Sequence, residues 1–189
     1  MRALAPELGG WGPTSAQRSH EIAVMVAGGR IRGVLRGPSS MRLSDLVNER
    51  DPFVALTDGL LLPDPTVDPI RPLALSACLV GKDHVDLLWP GDTTAEDPGP
   101  RDLRVNKQSR RARLRFAGFT VDADLHIADG ATLEAAIVNS PIRFLAATNA
   151  TITPHIRGDD QATFRQPFVL LNRQRIVFVS GLGADQAEP

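Results

Sequence analysis

The chain has 189 residues, 42% of them hydrophobic, and its 21 Lys and Arg nearly balance its 22 Asp and Glu. Such a chain can bury a core without metals or disulfides, and its near-neutral charge gives no bulk attraction to nucleic acid or anionic lipid. Cys78 has no second cysteine to pair with, which excludes an internal disulfide and favours a reducing compartment. The sequence has no signal-peptide core and no apolar stretch of membrane-spanning length, so we expect a cytoplasmic protein.

The first half of the chain predicts two strands, a short helix and three further strands. Apolar residues alternate with other residues along the first strand, and Ser40 is the expected helix cap, with Pro52 ending the helix. The expected elements are strands around residues 22–26 and 31–35, a helix over 43–47, a strand over 53–62 and a final hairpin with Lys82-Asp83 near its tip.

The second half predicts the same elements in the same order. Asp129 or Thr132 is the expected helix cap, and Pro141 ends the helix. The expected elements are strands around residues 112–116 and 121–127, a helix over 133–137, a strand over 144–153 and a final hairpin with Arg173-Gln174 near its tip.

This agreement between the halves indicates an internal duplication. A shift of 91 places residues 53–58 on 144–149 and residues 79–88 on 170–179, while a shift of 90 aligns the first strands. The predicted fold class is mainly β with short helices, in two tandem ββαβββ units. Each unit is expected to be a small bent sheet or barrel, and the two are expected to be related by pseudo-two-fold symmetry.

The expected domain boundaries follow from this duplication. They are a flexible N-terminal segment over residues 1–18, repeat unit 1 over 19–89, a linker over 90–109, repeat unit 2 over 110–183 and a flexible tail over 184–189.

Two short signatures resemble an uncharacterised bacterial repeat family. Residues 42–48 read RLSDLVN and residues 53–58 read FVALTD, which resembles that family's RLSD-LxN and FxxLTD pattern. Residues 133–139 and Thr148-Asn149 carry a degenerate form. The family is a domain of unknown function, so the resemblance implies duplication and no particular activity. Asp45 and Asn48 bracket the helix, and Thr57-Asp58 is expected to satisfy backbone groups at a strand bend.

The sequence does not support a metal, cofactor or catalytic site. The histidines lack helical spacing and a cysteine pair, so zinc has no support. Asp122, Asp124 and His126 share one strand face, which is more typical of a solvated face than of a metal site. Gly28-Gly29 lies between strands and opens no helix, which indicates a turn. With no nucleophile, base and acid grouping, we predict a protein that is not an enzyme and uses no cofactor.

A basic segment is the candidate partner-binding site. Residues 101–115 are rich in arginine, and inward-facing apolar positions should leave Arg111, Arg113 and Arg115 as a stripe on the outer face of one strand, beside Arg110. This stripe could bind an acidic protein or a phosphate, or simply protect a sheet edge by charge.

We therefore predict a non-enzymatic protein-interaction or scaffold subunit that associates with itself or with a protein partner. The alternative is a small-ligand or nucleic-acid binding domain that uses the face of Arg111, Arg113 and Arg115, with nucleic acid less favoured. An enzyme would need a closed pocket between the two units.

Overall fold

The computed structural model describes residues 16–27, 29–63, 71–91, 107–155 and 163–182. Within these ranges the chain forms ten strands and two short α-helices. The first five strands are β1 Gln17–Val26, β2 Gly29–Pro38, β3 Phe53–Pro63, β4 Leu73–Gly81 and β5 Val85–Pro90, with α1 Leu43–Asn48 between β2 and β3. The last five are β6 Lys107–Arg115, β7 Phe119–Ala128, β8 Phe144–Pro154, β9 Phe164–Asn172 and β10 Phe178–Gly181, with α2 Leu133–Val138 between β7 and β8.

The protein is mainly β, as predicted, and its strands form one antiparallel sheet that does not close. The strand order is β10-β6-β7-β8-β9-β5-β1-β2-β3-β4, so β4 and β10 are the edges. We call β1–β5 the first strand set and β6–β10 the second strand set. The sequence predicts a separate small sheet or barrel for each half, but the two sets form one continuous sheet, because β5 pairs with β9 and joins them.

We call the pairing of β5 with β9 the internal junction. Leu87 lies opposite Leu171, and Leu88 lies opposite Leu170. This pairing satisfies backbone N–H and C=O groups that two separate half-sheets would leave open, which is the physical reason for a continuous sheet.

The final hairpin predicted in each half is wrong. β4 pairs with β3, whereas β5 pairs with β1 and β9, so β4 and β5 are not neighbours. A single 3-10 turn over Lys82–His84 connects them. A similar turn over Arg173–Arg175 begins the connection between β9 and β10, which are not neighbours either. Three residues of 3-10 helix span only about 6 Å. Each strand set must therefore curl until its outer strands come within reach of each other.

The helix starts agree with the sequence at one of two positions. Arg42, rather than the expected Ser40, holds the N-cap position of α1, because a turn closed by the Met41 N–H and the Pro38 carbonyl comes first. Thr132 caps α2 as predicted, and its hydroxyl accepts a 3.2 Å hydrogen bond from a first-turn backbone N–H.

Two apolar clusters form the core, and each takes residues from both strand sets. Phe144 and Leu170 of the second set pack into the cluster of the first set. Ala23, Leu87 and Trp89 of the first set pack into the cluster of the second. β5 and the last four residues of β9 are therefore buried on both faces, and the internal junction is part of the core.

Candidate functional site at the sheet edges and the arginine face

Strand alternation places three arginines together on one side of β6. Arg111, Arg113 and Arg115 lie on the face of β6 opposite the fully buried Ala112 and Leu114, as the sequence predicts. We call these three residues the arginine face.

Two acids on β7 bind two of these arginines. Arg113 donates from Nε and Nη2 to both carboxylate oxygens of Asp122, at 2.8 and 2.7 Å. This hydrogen bond, with the charge of Asp122, raises the pKa of Arg113. Arg111 Nη1 lies 3.4 Å from Asp124 Oδ1 and donates to the Asn149 carbonyl at 2.9 Å. A ligand phosphate would have to compete with these carboxylates.

Arg110 and Arg115 are placed differently from the two paired arginines. Arg110 is exposed at a position that alternates with Arg111, so it belongs to the opposite face of β6. Arg115 is exposed and lies opposite Phe178 of β10. Because β10 pairs with residues 112–115, this part of β6 is not the sheet edge that charge was expected to protect.

Asp122, Asp124 and His126 share one face of β7, as the sequence predicts, and each has a partner outside the set. Asp122 and Asp124 hold arginines, and His126 Nε2 lies 2.9 Å from the Thr148 hydroxyl. Among the described residues, no group of three or more His, Cys, Asp or Glu is arranged to hold a metal ion. Burial raises the pKa of the Cys78 thiol, which disfavours the reactive thiolate form.

The open edges carry exposed apolar side chains that sequence reasoning missed. The exposed side chains are Leu73 and Leu79 on β4 and Phe178 on β10. Val177, directly before β10, and Phe53 on β3, the neighbour of β4, are also exposed. Along the outer sides of β4 and β10, no other described strand pairs with the backbone. A hydropathy pattern gives strand position but not sheet order, so the sequence could not identify these edges.

Two amide side chains, one fully buried and one partly buried, hydrogen-bond across the internal junction. Asn172 is fully buried and donates from Nδ2 to the carbonyls of Lys82 and Val85, at 2.9 and 2.7 Å. Asn48, at the end of α1, donates to the Phe144 carbonyl at 3.0 Å and accepts from the Phe144 N–H at 2.8 Å. Each amide therefore fixes the register of one strand set against the other.

Ion pairs also cross the internal junction. Arg175 Nε lies 3.0 Å from Asp86 Oδ1, whose side chain is nearly buried. Arg143 Nη1 lies 2.8 Å from Asp83 Oδ1. Lys82 donates to the Glu49 carbonyl at 2.9 Å, and burial lowers its pKa. The junction thus combines apolar packing with charges that each have a partner.

A groove of about 560 Å³ is lined by residues of β1, β2, β3, β5 and β9. Its lining includes Arg30, Arg32, Glu21, Trp89 and Gln166. Burial, and then the neighbouring Arg32, lowers the pKa of Arg30. The groove brings both signs of charge together at the boundary between the strand sets.

Within the described ranges, neither helix has the length or apolar content to cross a lipid bilayer. Comparison with known proteins finds no counterpart of this chain. No protein-family model matches the sequence, and no curated protein or solved structure matches it either.

Proposed function

We propose that the chain is a non-enzymatic interaction module, a scaffold or accessory subunit built from a duplicated β-domain, which binds protein partners through the open edges of its sheet. One observation carries the proposal: four of the seven exposed large apolar side chains among the described residues lie on β4, on β10 or directly before β10. An unpaired strand edge is a template for another chain, and exposed apolar side chains along it add affinity.

Equal strand order and register support the duplication. Strands β5-β1-β2-β3-β4 and β10-β6-β7-β8-β9 follow one another in corresponding order. Phe53 lies opposite Gly81, and Phe144 lies opposite Asn172, so both partners shift by 91. Matching registers on this scale would be an unusual coincidence between unrelated halves.

Two β-bulges at corresponding places also support the internal duplication. The register of β2 with β3 shifts between Arg32 and Val34, and that of β7 with β8 shifts between Asp122 and Asp124. In each partner strand a non-glycine residue has positive φ, 52° at Asp58 and 51° at Asn149. Positive φ is uncommon outside glycine. Its recurrence at corresponding places favours a common origin for the two halves.

The arginine face supports the alternative, a ligand or nucleic-acid binding domain, less well. Asp122 and Asp124 already offset the charges of Arg113 and Arg111. A polyanion would therefore gain less binding free energy from this face than from guanidinium groups without carboxylate partners. The observed pairing favours a protein partner at the edges.

Affinity capture with the full chain, combined with sedimentation of the purified protein, tests the proposal. We expect the wild-type chain to bind a protein partner, either another copy or a different protein, and Leu79→Asp or Phe178→Asp to weaken that binding. Ile142→Asp is a matched control, because Ile142 is also a large exposed apolar residue but belongs to the connection between α2 and β8 and to neither edge strand. A chain that stays monomeric and captures nothing would overturn the proposal.

A further inference from the structure

We propose that the partner is a second copy of this chain, bound head to tail. In this arrangement β10 of one copy pairs with β4 of the next, in the register that β5 and β9 use within one molecule. The inference rests on the proposed function and makes it specific, because it names the occupant of both open edges.

Corresponding positions of the two strand sets give the first argument. β4 is the counterpart of β9, and β10 is the counterpart of β5, each 91 residues away. At the internal junction, β9 uses its outer side to bind the outer side of β5. A single molecule therefore presents both halves of an interface that it already contains once.

The exposure of side chains at the β4 edge agrees with a second copy binding there. Leu79 is 68% exposed, whereas its counterpart Leu170 is fully buried at the internal junction. Phe53 is 45% exposed, whereas its counterpart Phe144 is fully buried. Leu170 and Phe144 are covered because the other strand set packs on them. Leu79 and Phe53 occupy the same positions with no other strand set beside them in the described structure.

The β10 edge shows the same contrast. Phe178 is 45% exposed, while its counterpart Leu87 is fully buried in the core. Val177 is 65% exposed, although its counterpart Asp86 is nearly buried. Apolar residues thus stand on both open edges at positions that the internal junction buries, which is what an interface between copies requires.

The internal junction fixes the register between copies. Leu87 pairs with Leu171 and Leu88 pairs with Leu170 within the chain. Shifting these positions by 91 places Phe178 opposite Val80, and Val179 opposite Leu79, of the next copy.

The helices complete the match. Asn48, the last residue of α1, contacts Phe144 across the internal junction. Val138, the last residue of α2, is 71% exposed and would lie beside Phe53 of the next copy. A polar contact inside the molecule would become an apolar contact between molecules.

The remaining polar groups are compatible with pairing. Gly81 replaces the junction residue Asn172 at the β4 edge, and Val177 replaces Asp86 at the β10 edge, so fewer polar groups lose water. Arg113 stands where Ala23 is buried at the junction. Its bidentate pair with Asp122 lets it approach the next copy without an unpaired charge.

Two full-length variants test the arrangement by sedimentation velocity. Leu79→Asp blocks the β4 edge and leaves β10 intact, whereas Phe178→Asp blocks β10 and leaves β4 intact. We expect wild type and the control Ile142→Asp to associate as concentration rises, and each edge variant alone to associate about 30-fold more weakly or worse. A mixture of the two edge variants should form a one-to-one heterodimer and no larger species.

Disulfide trapping tests the register. In a Cys78→Ala background, a Leu79→Cys chain mixed with a Val179→Cys chain should give a crosslinked dimer on mild oxidation, because directly paired strand residues lie within disulfide range. Ala77→Cys replaces Leu79→Cys in the off-register control and should crosslink much more slowly. Equal rates for the two pairs would overturn the proposed register.

The outcomes separate this inference from the proposed function. Self-association of either edge variant alone, at wild-type strength, would show that like edges pair and would overturn the head-to-tail arrangement. A wild-type monomer at all concentrations that still binds a different protein through β4 or β10 would overturn self-assembly and keep the interaction module. A monomer that binds nothing would overturn both.

Discussion

Replacement of Asn172 by alanine is the most direct test of the internal junction. The side chain is fully buried at the end of β9 and donates to the carbonyls of Lys82 and Val85, which belong to the other strand set. Its Oδ1 accepts the Gln174 N–H at 3.1 Å. Alanine removes all three hydrogen bonds and leaves no side-chain donor for the two carbonyls.

The expected loss of folding stability follows from these three hydrogen bonds. Each buried group that loses its hydrogen-bond partner costs about 1–3 kcal/mol, and relaxation of the turn around Gln174 recovers part of that. We therefore expect the free energy of unfolding to fall by about 2–4 kcal/mol. With a urea m-value of about 2 kcal/mol/M, the midpoint should fall by about 1–2 M.

Urea unfolding followed by circular dichroism measures this change. Gln174→Ala is the control, because the Gln174 side chain is exposed and only its backbone N–H joins the network, so its effect should stay within about 0.5 kcal/mol. If Asn172→Ala matched this control, the buried amide would not be holding the strand sets together, and the reasoning would be refuted.

Three further predictions concern single residues in the described structure. Asp58→Val should lower the free energy of unfolding by about 1–2 kcal/mol, since a β-branched side chain tolerates a φ of 52° poorly; equal stability in urea would contradict this. Burial, and then Arg18, lowers the pKa of His20, so its contribution to stability is complete above the unfolded value of about 6.5 and declines as pH falls below it. His20→Gln should therefore flatten the pH dependence of urea stability between about pH 7.5 and about pH 5.5, and an unchanged slope would exclude His20 as its source. Arg113→Gln should cost no more than about 1 kcal/mol, because the pair with Asp122 is partly exposed, and added salt should shrink the difference from wild type.

The alternation of apolar residues located most strands correctly. The strands expected around residues 53–62 and 144–153 are observed at Phe53–Pro63 and Phe144–Pro154. Period-two patterns report which side chains face a core, and that information is local to each strand.

The same patterns did not predict the order of the strands in the sheet. The three-residue connection at Lys82–His84 is as short as a hairpin loop, so sequence reasoning paired β4 with β5. A short connection brings two strands close together but does not make them neighbours in the sheet when the sheet curls. The pairing of β5 with β9 joins segments about 84 residues apart, as Leu87 and Leu171 show, and no local signal marks it.

At the candidate site too, local sequence patterns do not predict which of two equivalent residues is buried. Phe53 and Phe144 begin equivalent strands and carry the same side chain, but only Phe144 is buried. Sequence alternation predicted the arginine face, whereas the acids opposite it depend on the β6–β7 register, which places Arg113 across from Asp122. The sequence therefore predicted the type and facing of each side chain, whereas its burial and its ion-pair partner depend on residues that are distant in sequence.

Head-to-tail pairing has a consequence for the size of the assembly. The internal junction uses one edge of each kind, so a molecule still presents one β4 edge and one β10 edge, and so does any open row of molecules. Such a row grows until its ends meet, because a heterologous contact closes only when its rotation adds up to a full turn. If successive contacts repeat the geometry of the internal junction, that geometry alone decides between a ring and a filament. A ring would sediment as one species above a threshold concentration, whereas a filament would lengthen steadily as concentration rises.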